Sequence, residues 1–137
     1  MKLQIVLQIP KIEDQNPEYT YILPDKIIEI DNGSCLSIEL NNTLDYISKR
    51  AGFLEECFKK LRSKGIISIS GLDIVELSKR IFNGKVTIDE INNILYMGKQ
   101  SVDNLHRLFI LLTNNGLQII DKRISDIIYY IKARKND

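Results

Sequence analysis

Several residue types that usually carry chemistry are scarce in this chain: its 137 residues include no tryptophan, one histidine and two cysteines. Cys35 and Cys57 match no metal-ligand spacing and no Cys-x-x-Cys pattern, so neither a zinc site nor a disulfide framework is indicated. Each cysteine lies in an apolar pattern, which predicts two buried, reduced thiols. The single histidine, His106, lies in a predicted helix beside Leu105 and Leu108, where a structural position is the commoner outcome. No nucleophile–base pair or metal centre is indicated.

An excess of charge of one sign and a long apolar run are also absent. The net charge is +1, and basic and acidic residues are interspersed, so no overall field attracts nucleic acid or an anionic membrane. No basic stripe with interleaved aromatic residues indicates nucleic-acid binding. No apolar run approaches the ~20 residues of a membrane span, and the first residues lack the zones of a signal peptide. We therefore expect a cytoplasmic protein that contacts neither nucleic acid nor membrane.

What the sequence does contain is typical of one globular domain. It is 44% hydrophobic and 27% charged, and its length allows one sizeable core but not two. Residues 1–10 alternate, with Leu3, Ile5, Leu7 and Ile9 on one face, which predicts a strand that Pro10 ends. Further strands are predicted at Tyr19–Leu23, Ile27–Ile30, Cys35–Leu40, Ile66–Ser70, Leu117–Ile120 and Ile127–Ile131.

Helical patterns fill the middle of the chain. A stripe predicts a helix over residues 53–64 with Gly65 as its C-terminal cap. Further helices are predicted over residues 72–82, from Thr87 with a Thr87-x-x-Glu90 capping box, and from Ser101 as an N-cap to Asn114. The order of elements predicts an α/β layer protein with an antiparallel strand pair at its end.

The stretch around Asp31-Asn32-Gly33-Ser34 shows which family this order resembles. The turn leads into the strand Cys35–Leu40, and the strand is followed by Asn42-Thr43-Leu44-Asp45-Tyr46-Ile47. In this order the chain resembles the C-terminal half of a class I S-adenosylmethionine-dependent methyltransferase of the small-molecule type 11 kind. There, an Asp-Asn-Ser-type turn precedes the fourth strand, and a His-x-Leu-Glu-His-Ile segment often follows it. The resemblance implies a truncated Rossmann-like sheet, mostly parallel with a C-terminal antiparallel pair and helices packed on it.

The chain departs from that family where the family binds its cofactor. There is no glycine before Gly33, and Ile9-Pro10-Lys11-Ile12 stands where the glycine-rich loop belongs, although close backbone approach to a ligand favours residues without a Cβ. Residues 11–18 are also short for a strand–helix crossover. We therefore expect residues 1–137 to form one methyltransferase-like domain, shortened at its N-terminus and lacking most of the cofactor-binding half.

The resemblance still implies a ligand crevice outside the carboxyl ends of the strands. The residues that it offers for cofactor binding are Asp25, Asp31, Asn41 and Asn42. Asn42 and Tyr46 replace the family's histidines and are poor general bases at neutral pH, so no catalytic residue is predicted. The carboxylates expected near the crevice are Asp45 and Asp73.

Three functions are compatible with these features. The first is a degenerate, non-catalytic domain without a cofactor, acting as a structural or interaction protein; loss of the N-terminal half would expose apolar surface, so a homo-oligomer or another protein chain is the expected partner. Such a compact chain would suit a phage or viral genome, with virion association as a second location. The second is an active methyltransferase that binds S-adenosylmethionine through an atypical site. The third takes residues 28–40 as a hairpin in an unrelated α+β binding protein.

Overall fold

The computed structural model describes residues 1–136. One mixed sheet contains the six strands of this part of the chain: β1 (Lys2–Ile5), β2 (Tyr19–Ile22), β3 (Cys35–Asn41), β4 (Leu61–Leu72), β5 (Leu117–Ser125) and β6 (Ile128–Lys135). Their order across the sheet is β2-β1-β3-β4-β6-β5. The first four strands are parallel, and β6 runs antiparallel to both β4 and β5. The predicted fold class, a mostly parallel sheet with a C-terminal antiparallel pair, is confirmed.

Within residues 1–136, four α-helices accompany the sheet: α1 (Arg50–Lys60), α2 (Ile74–Phe82), α3 (Ile88–Tyr96) and α4 (Leu105–Asn114). Short 3-10 helices lie at Ile12–Asp14, Pro24–Glu29 and Leu44–Tyr46. The capping box that opens α3 is formed as predicted, because the Glu90 amide donates to the Thr87 hydroxyl and the Thr87 amide donates to the Glu90 carboxylate. The predicted Ser101 cap is wrong: α4 begins four residues later, where the Asn104 side chain accepts from the Arg107 amide.

The two faces of the sheet differ in chemistry. The covered face carries buried side chains from the central strands: Leu3, Ile5, Ile38, Leu40, Ile67, Ile69, Tyr129, Ile131 and Ala133. They pack in one cluster with residues of α1 and α4, including Leu54, Cys57, Phe58, Leu108 and Leu112. The open face carries the alternate residues. Most of them are half-buried or exposed, including Gln4, Ser37, Glu39, Ser68 and Lys132, whereas Ser70 is buried. Parallel sheets are usually apolar on both faces, so this polar alternation defines a two-layer domain.

The stretch from Ile28 to Leu40 is not a hairpin, because β3 runs parallel to both of its neighbours. The predicted strand Ile27–Ile30 is wrong as well. Its first three residues belong to the 3-10 helix Pro24–Glu29, and Ile30 is the C-cap of that helix. Pro24 opens the helix with a ring-fixed φ at a position that needs no amide donor. Since the predicted strand Ile27–Ile30 is not formed, the third function, a hairpin-based α+β binding protein, loses its structural basis.

Two element boundaries also differ from prediction. Helix α1 ends at Lys60 rather than near Gly65, because Leu61 is already extended and pairs with Cys35. Residues 62–65 bulge before pairing resumes at Ile66, and a Cβ at Gly65 would lie 2.9 Å from the Cys35 carbonyl oxygen. Glycine is therefore required there by close backbone approach and not as a helix cap.

Strand β1 is shorter than its alternating sequence predicts. It ends at Ile5, and the last bond to β2 runs from the Val6 amide to the Ile22 carbonyl. Leu7 and Ile9 are consequently 49% and 43% exposed instead of buried. Residues 6–18 nevertheless return the chain to a parallel β2 with only one 3-10 turn, so this crossover contains no α-helix.

The two cysteines are buried and free, as predicted. Burial raises the pKa of the Cys57 thiol, so it stays protonated near neutral pH. No described helix is long and apolar enough to cross a membrane.

Candidate functional site

The carboxyl ends of β3 and β4 form the edge at which open α/β sheets bind ligands. Strand β3 ends at Asn41, and Asn42 follows with a φ of 56°, a conformation that asparagine tolerates better than most residues. The Asn42 amide donates to the Ser70 carbonyl oxygen at 3.0 Å. This turn directs the chain into the 3-10 helix Leu44–Tyr46, which packs on β4.

A buried network centred on Arg50 occupies this edge. The Arg50 Nη2 donates to Asp45 Oδ1 at 3.1 Å, and its Nη1 donates to Asp103 Oδ2 at 3.1 Å. Its Nε donates to the Ser101 hydroxyl at 2.9 Å, and that hydroxyl donates to the Ile47 carbonyl. Arg50, Asp45 and Asp103 are 6%, 2% and 3% exposed. Each of the three guanidinium nitrogens thus donates to a side chain of the protein, and the charge is shared between two carboxylates.

The remaining oxygens of the nearby carboxylates are also engaged. Asp45 Oδ2 accepts from the Leu72 amide at 2.9 Å. Asp73 caps α2 by accepting from the Val75 and Glu76 amides, and its other oxygen accepts from the Leu105 amide. Asp45 and Asp73 thus lie at this edge as predicted, but both hold the ends of secondary-structure elements in place. Neither has an oxygen that is free of protein hydrogen bonds.

The hydroxyl of Tyr129 is the exception in this otherwise paired region. Tyr129 is fully buried, and its hydroxyl has no hydrogen-bond partner among residues 1–136. Burial, with the Asp45 carboxylate nearby, raises the pKa of this phenol, and the neighbouring Arg50 guanidinium offsets only part of that rise. The hydroxyl lies against Gly71, where a Cβ would be 2.7 Å from it and 3.0 Å from Asp45 Oδ1. Tyr129 therefore stays neutral, and Gly71 provides the space for it.

A pocket of about 310 Å³ opens beside the network. It is lined by Asn42, Asp45, Tyr46, Leu72, Ile94, Lys99, Ile127 and Ile128. Lys99 lies over the Tyr46 ring, 5.4 Å from its centroid. The pocket contains no histidine, and its one carboxylate, Asp45, is already paired with Arg50. It offers an amide, an ammonium group and apolar walls, a set that can hold a ligand but provides no free general base.

The four predicted cofactor residues are not brought together. Asn42 lines the edge pocket, whereas Asn41 faces the open side of the sheet. Asp25 is exposed in the 3-10 helix Pro24–Glu29 and lines a separate apolar groove against α1. Asp31 precedes β3 at the opposite edge, and a strand of seven residues separates it from Asn42 by ~20 Å. A single small ligand cannot contact both of these residues.

His106 also lies away from the edge pocket. It is exposed on α4 and lines a pocket of about 240 Å³ with Glu76, Phe109 and Lys122. Within residues 1–136, no group of three or more His, Cys, Asp or Glu side chains is arranged to hold a metal ion.

Sequence reasoning missed the central residues of that network, Arg50, Ser101 and Asp103. Arg50 was outside the predicted helix, and Asp103 lies 53 positions further along the chain. No local pattern connects them. The one available signal was the segment 42–47, in which Asp45 takes the place of the family's glutamate beside the fourth strand.

Comparisons with known proteins identify the fold. No protein-family model and no curated protein matches the sequence. An S-adenosylmethionine-dependent methyltransferase from Thermotoga maritima superposes with a TM-score of 0.62 at 9% identity, over 85% of this chain and 63% of its own. A second, from Archaeoglobus fulgidus, has a TM-score of 0.62 at 9% identity over 97% and 75%. The plantazolicin methyltransferase BamL, solved with SAH, has a TM-score of 0.61 at 10% identity over 87% and 60%.

The chain thus has the fold of class I S-adenosylmethionine-dependent methyltransferases. It spans less than two thirds of the Thermotoga protein and of BamL. At this level of identity the likeness concerns the arrangement of strands and helices and extends to no substrate or activity.

Proposed function

We propose that this chain is a methyltransferase-like domain that no longer transfers methyl groups and acts as a structural or interaction protein. The observation that carries the proposal is the Arg50 network. At the carboxyl edge of β3 and β4, the carboxylates of Asp45 and Asp103 are both paired with one internal arginine, Arg50. A general base needs a lone pair that is accessible to substrate, and these carboxylates direct theirs toward the protein.

The segment after β1 supports the same proposal. Residues 6–18 contain Pro10 and no glycine, so each residue carries a Cβ that limits close approach of the backbone to a ligand. The acidic candidates for binding a ribose do not share one element: Asp25 lies in the 3-10 helix Pro24–Glu29, and Asp31 lies in the connection that leads to β3. We infer that the cofactor site of the fold has been replaced by packing contacts.

A second candidate function is binding of S-adenosylmethionine in an atypical site. Two observations favour it. The similar structures are S-adenosylmethionine-dependent enzymes, and a pocket of about 310 Å³ remains beside Asn42 and Lys99. If this chain has a small-molecule cofactor, these observations make S-adenosylmethionine the first one to test.

The two candidates differ in a calorimetric titration with S-adenosylhomocysteine. The proposed function predicts no saturable heat at high protein concentration. Saturable binding that Tyr46→Ala weakens, while Tyr96→Ala on the exposed surface of α3 does not, would establish the second candidate. Binding that is equal in both variants would place the ligand outside the edge pocket and would equally contradict the proposal.

We assign the interaction role to the α2–α3 surface, formed by exposed apolar side chains of α2 and α3 and by Met97 after α3. Phe82, Ile88, Tyr96 and Met97 are 89%, 72%, 76% and 66% exposed, and no residue of α3 is buried. Exposed apolar side chains on these two consecutive helices favour a protein partner, either a second copy or another chain. Sedimentation velocity over a range of concentrations, with Phe82→Ser as the variant, tests self-association.

Cytoplasmic location, a phage or viral origin and virion association stay predictions.

A further inference from the structure

The open face of the sheet contains a polar hollow at the junction of β4, β6 and β5. It has a volume of about 100 Å³ and is lined by Asn41, Ser68, Ser70, Asp121, Arg123 and Lys132, together with the Tyr130 ring and neighbouring backbone. The strand register produces this cluster, because Ser68 pairs with Lys132 and Ser70 pairs with Tyr130 across β4 and β6. On the β5 side, Asp121 is opposite Lys132 and Arg123 is opposite Tyr130.

Most of the polar groups in the hollow are hydrogen-bond donors for which residues 1–136 provide no acceptor. Neither Lys132 nor Arg123 forms an ion pair with a described residue. The Ser70 hydroxyl accepts from the Asn42 amide at 3.2 Å, which leaves its own hydrogen available to donate. The Arg123 guanidinium lies 5.0 Å from the Tyr130 ring centroid, and this cation–π contact holds it over the sheet.

Two cations and two hydroxyl groups around a small hollow match an anion with several acceptor oxygens. A phosphate monoester carries close to two negative charges at neutral pH and three terminal oxygens. A carboxylate has only two oxygens and one charge, so it would leave donors unmatched. The Asp121 carboxylate repels any anion in the hollow. The proposal therefore predicts weaker binding when a cation is removed and tighter binding when the charge of Asp121 is removed.

We propose that the polar hollow binds the phosphate group of a phosphate monoester. Lys132 and Arg123 neutralise its charge, and the Ser68 and Ser70 hydroxyls donate to its oxygens. The site is independent of the edge pocket, because it lies on the open face of the sheet and shares no lining residue with that pocket.

The test is an NMR titration of the isotope-labelled chain with methyl phosphate at constant ionic strength. We expect saturable amide shifts confined to residues 68–70, 121–123 and 130–132. Lys132→Gln and Arg123→Gln should each weaken binding about tenfold, since each removes a charge-assisted hydrogen bond. Asp121→Asn should tighten binding roughly threefold, since it removes a repelling charge near the surface.

The matched control is Lys122→Gln. It changes the net charge by the same amount as Lys132→Gln, but the Lys122 ammonium lies 4.4 Å from the Phe109 ring centroid and lines the pocket of His106 instead. An equal loss in this control would mean general electrostatic attraction and would overturn the proposal. Absence of saturable shifts, equally tight binding of acetate, or weaker binding by Asp121→Asn would overturn it as well. Because the altered side chains are exposed, the variants should fold, which their amide spectra verify.

Discussion

Replacing Arg50 with alanine is the most informative perturbation of this protein. The substitution removes the partner of two carboxylates, Asp45 and Asp103, that are each at most 3% exposed. It also breaks three side-chain hydrogen bonds of 2.9–3.1 Å. A buried charge that loses its partner costs ~3–5 kcal/mol. Since domains of this size have a free energy of unfolding of ~5–15 kcal/mol, Arg50→Ala should remove a large part of that free energy.

The assay is urea unfolding at neutral pH, followed by circular dichroism. Arg80→Ala is the control, because Arg80 pairs with Asp126 on the surface, where the two side chains are 43% and 64% exposed. An exposed pair is worth ~0–1 kcal/mol. If Arg50→Ala costs no more than Arg80→Ala, the network is not the structural centre that we describe, and Asp45 and Asp103 would become candidates for chemistry.

Three further predictions concern single side chains. Tyr129→Phe should leave stability at pH 7 unchanged or raise it by up to ~1 kcal/mol, because it removes a buried hydroxyl that has no described partner. The pKa of Tyr129 is raised above its unfolded value of 10.0. Ionisation of this tyrosine therefore leaves the free energy of unfolding unchanged below pH 10.0 and lowers it as the pH rises further. The wild type should therefore lose more stability than the Phe variant between pH 10 and 11 in urea unfolding, and equal losses would contradict the assignment. Gly71→Ala should destabilise by ~1–3 kcal/mol, since its Cβ would meet the Tyr129 hydroxyl at 2.7 Å. Gly52→Ala, in a helix with open space around it, should stabilise by ~1 kcal/mol, and thermal unfolding that ranks the two variants in the reverse order would refute the packing argument. Ile69→Asp should abolish cooperative unfolding, whereas Ser68→Asp, one position along β4 on the open face, should fold; a folded Ile69→Asp variant would mean that the covered face is wrongly identified.

Local signals determined which parts of the fold could be predicted. The strand Cys35–Leu40, the α3 capping box and the antiparallel pair β5–β6 were predicted because each depends on residues close in sequence. The end of α1 was not, because the pairing of Leu61 with Cys35 overrides the helical stripe. In the same way Leu7 and Ile9 keep the alternation of a strand, but β2 offers no pairing partner beyond Ile22.

The candidate site was harder to predict because its parts come from distant positions. Asp45 and Asp73 were expected near the crevice from their places after two strands. Their partners, Arg50 and the Leu105 amide, become apparent only once α1 and α4 are placed. The separation of Asp31 from Asn42 has the same cause, since both flank one strand in the sequence but lie at its opposite ends.

The polar open face limits what kind of partner the sheet can accept. A shortened methyltransferase fold was expected to expose apolar sheet surface that another chain would cover. That face instead carries Gln4, Glu39 and Ser68. Gln4 Nε2 donates a hydrogen bond to Glu39 Oε2 at 3.0 Å. An apolar layer laid on these residues would desolvate them without supplying hydrogen bonds, at ~1–3 kcal/mol for each unpaired group. An apolar partner is therefore directed to the α2–α3 surface, whereas the sheet face favours water or an anion. A complex whose apolar side chains cover Glu39 and Ser68, seen by crosslinking or in a co-crystal, would contradict this division of surfaces.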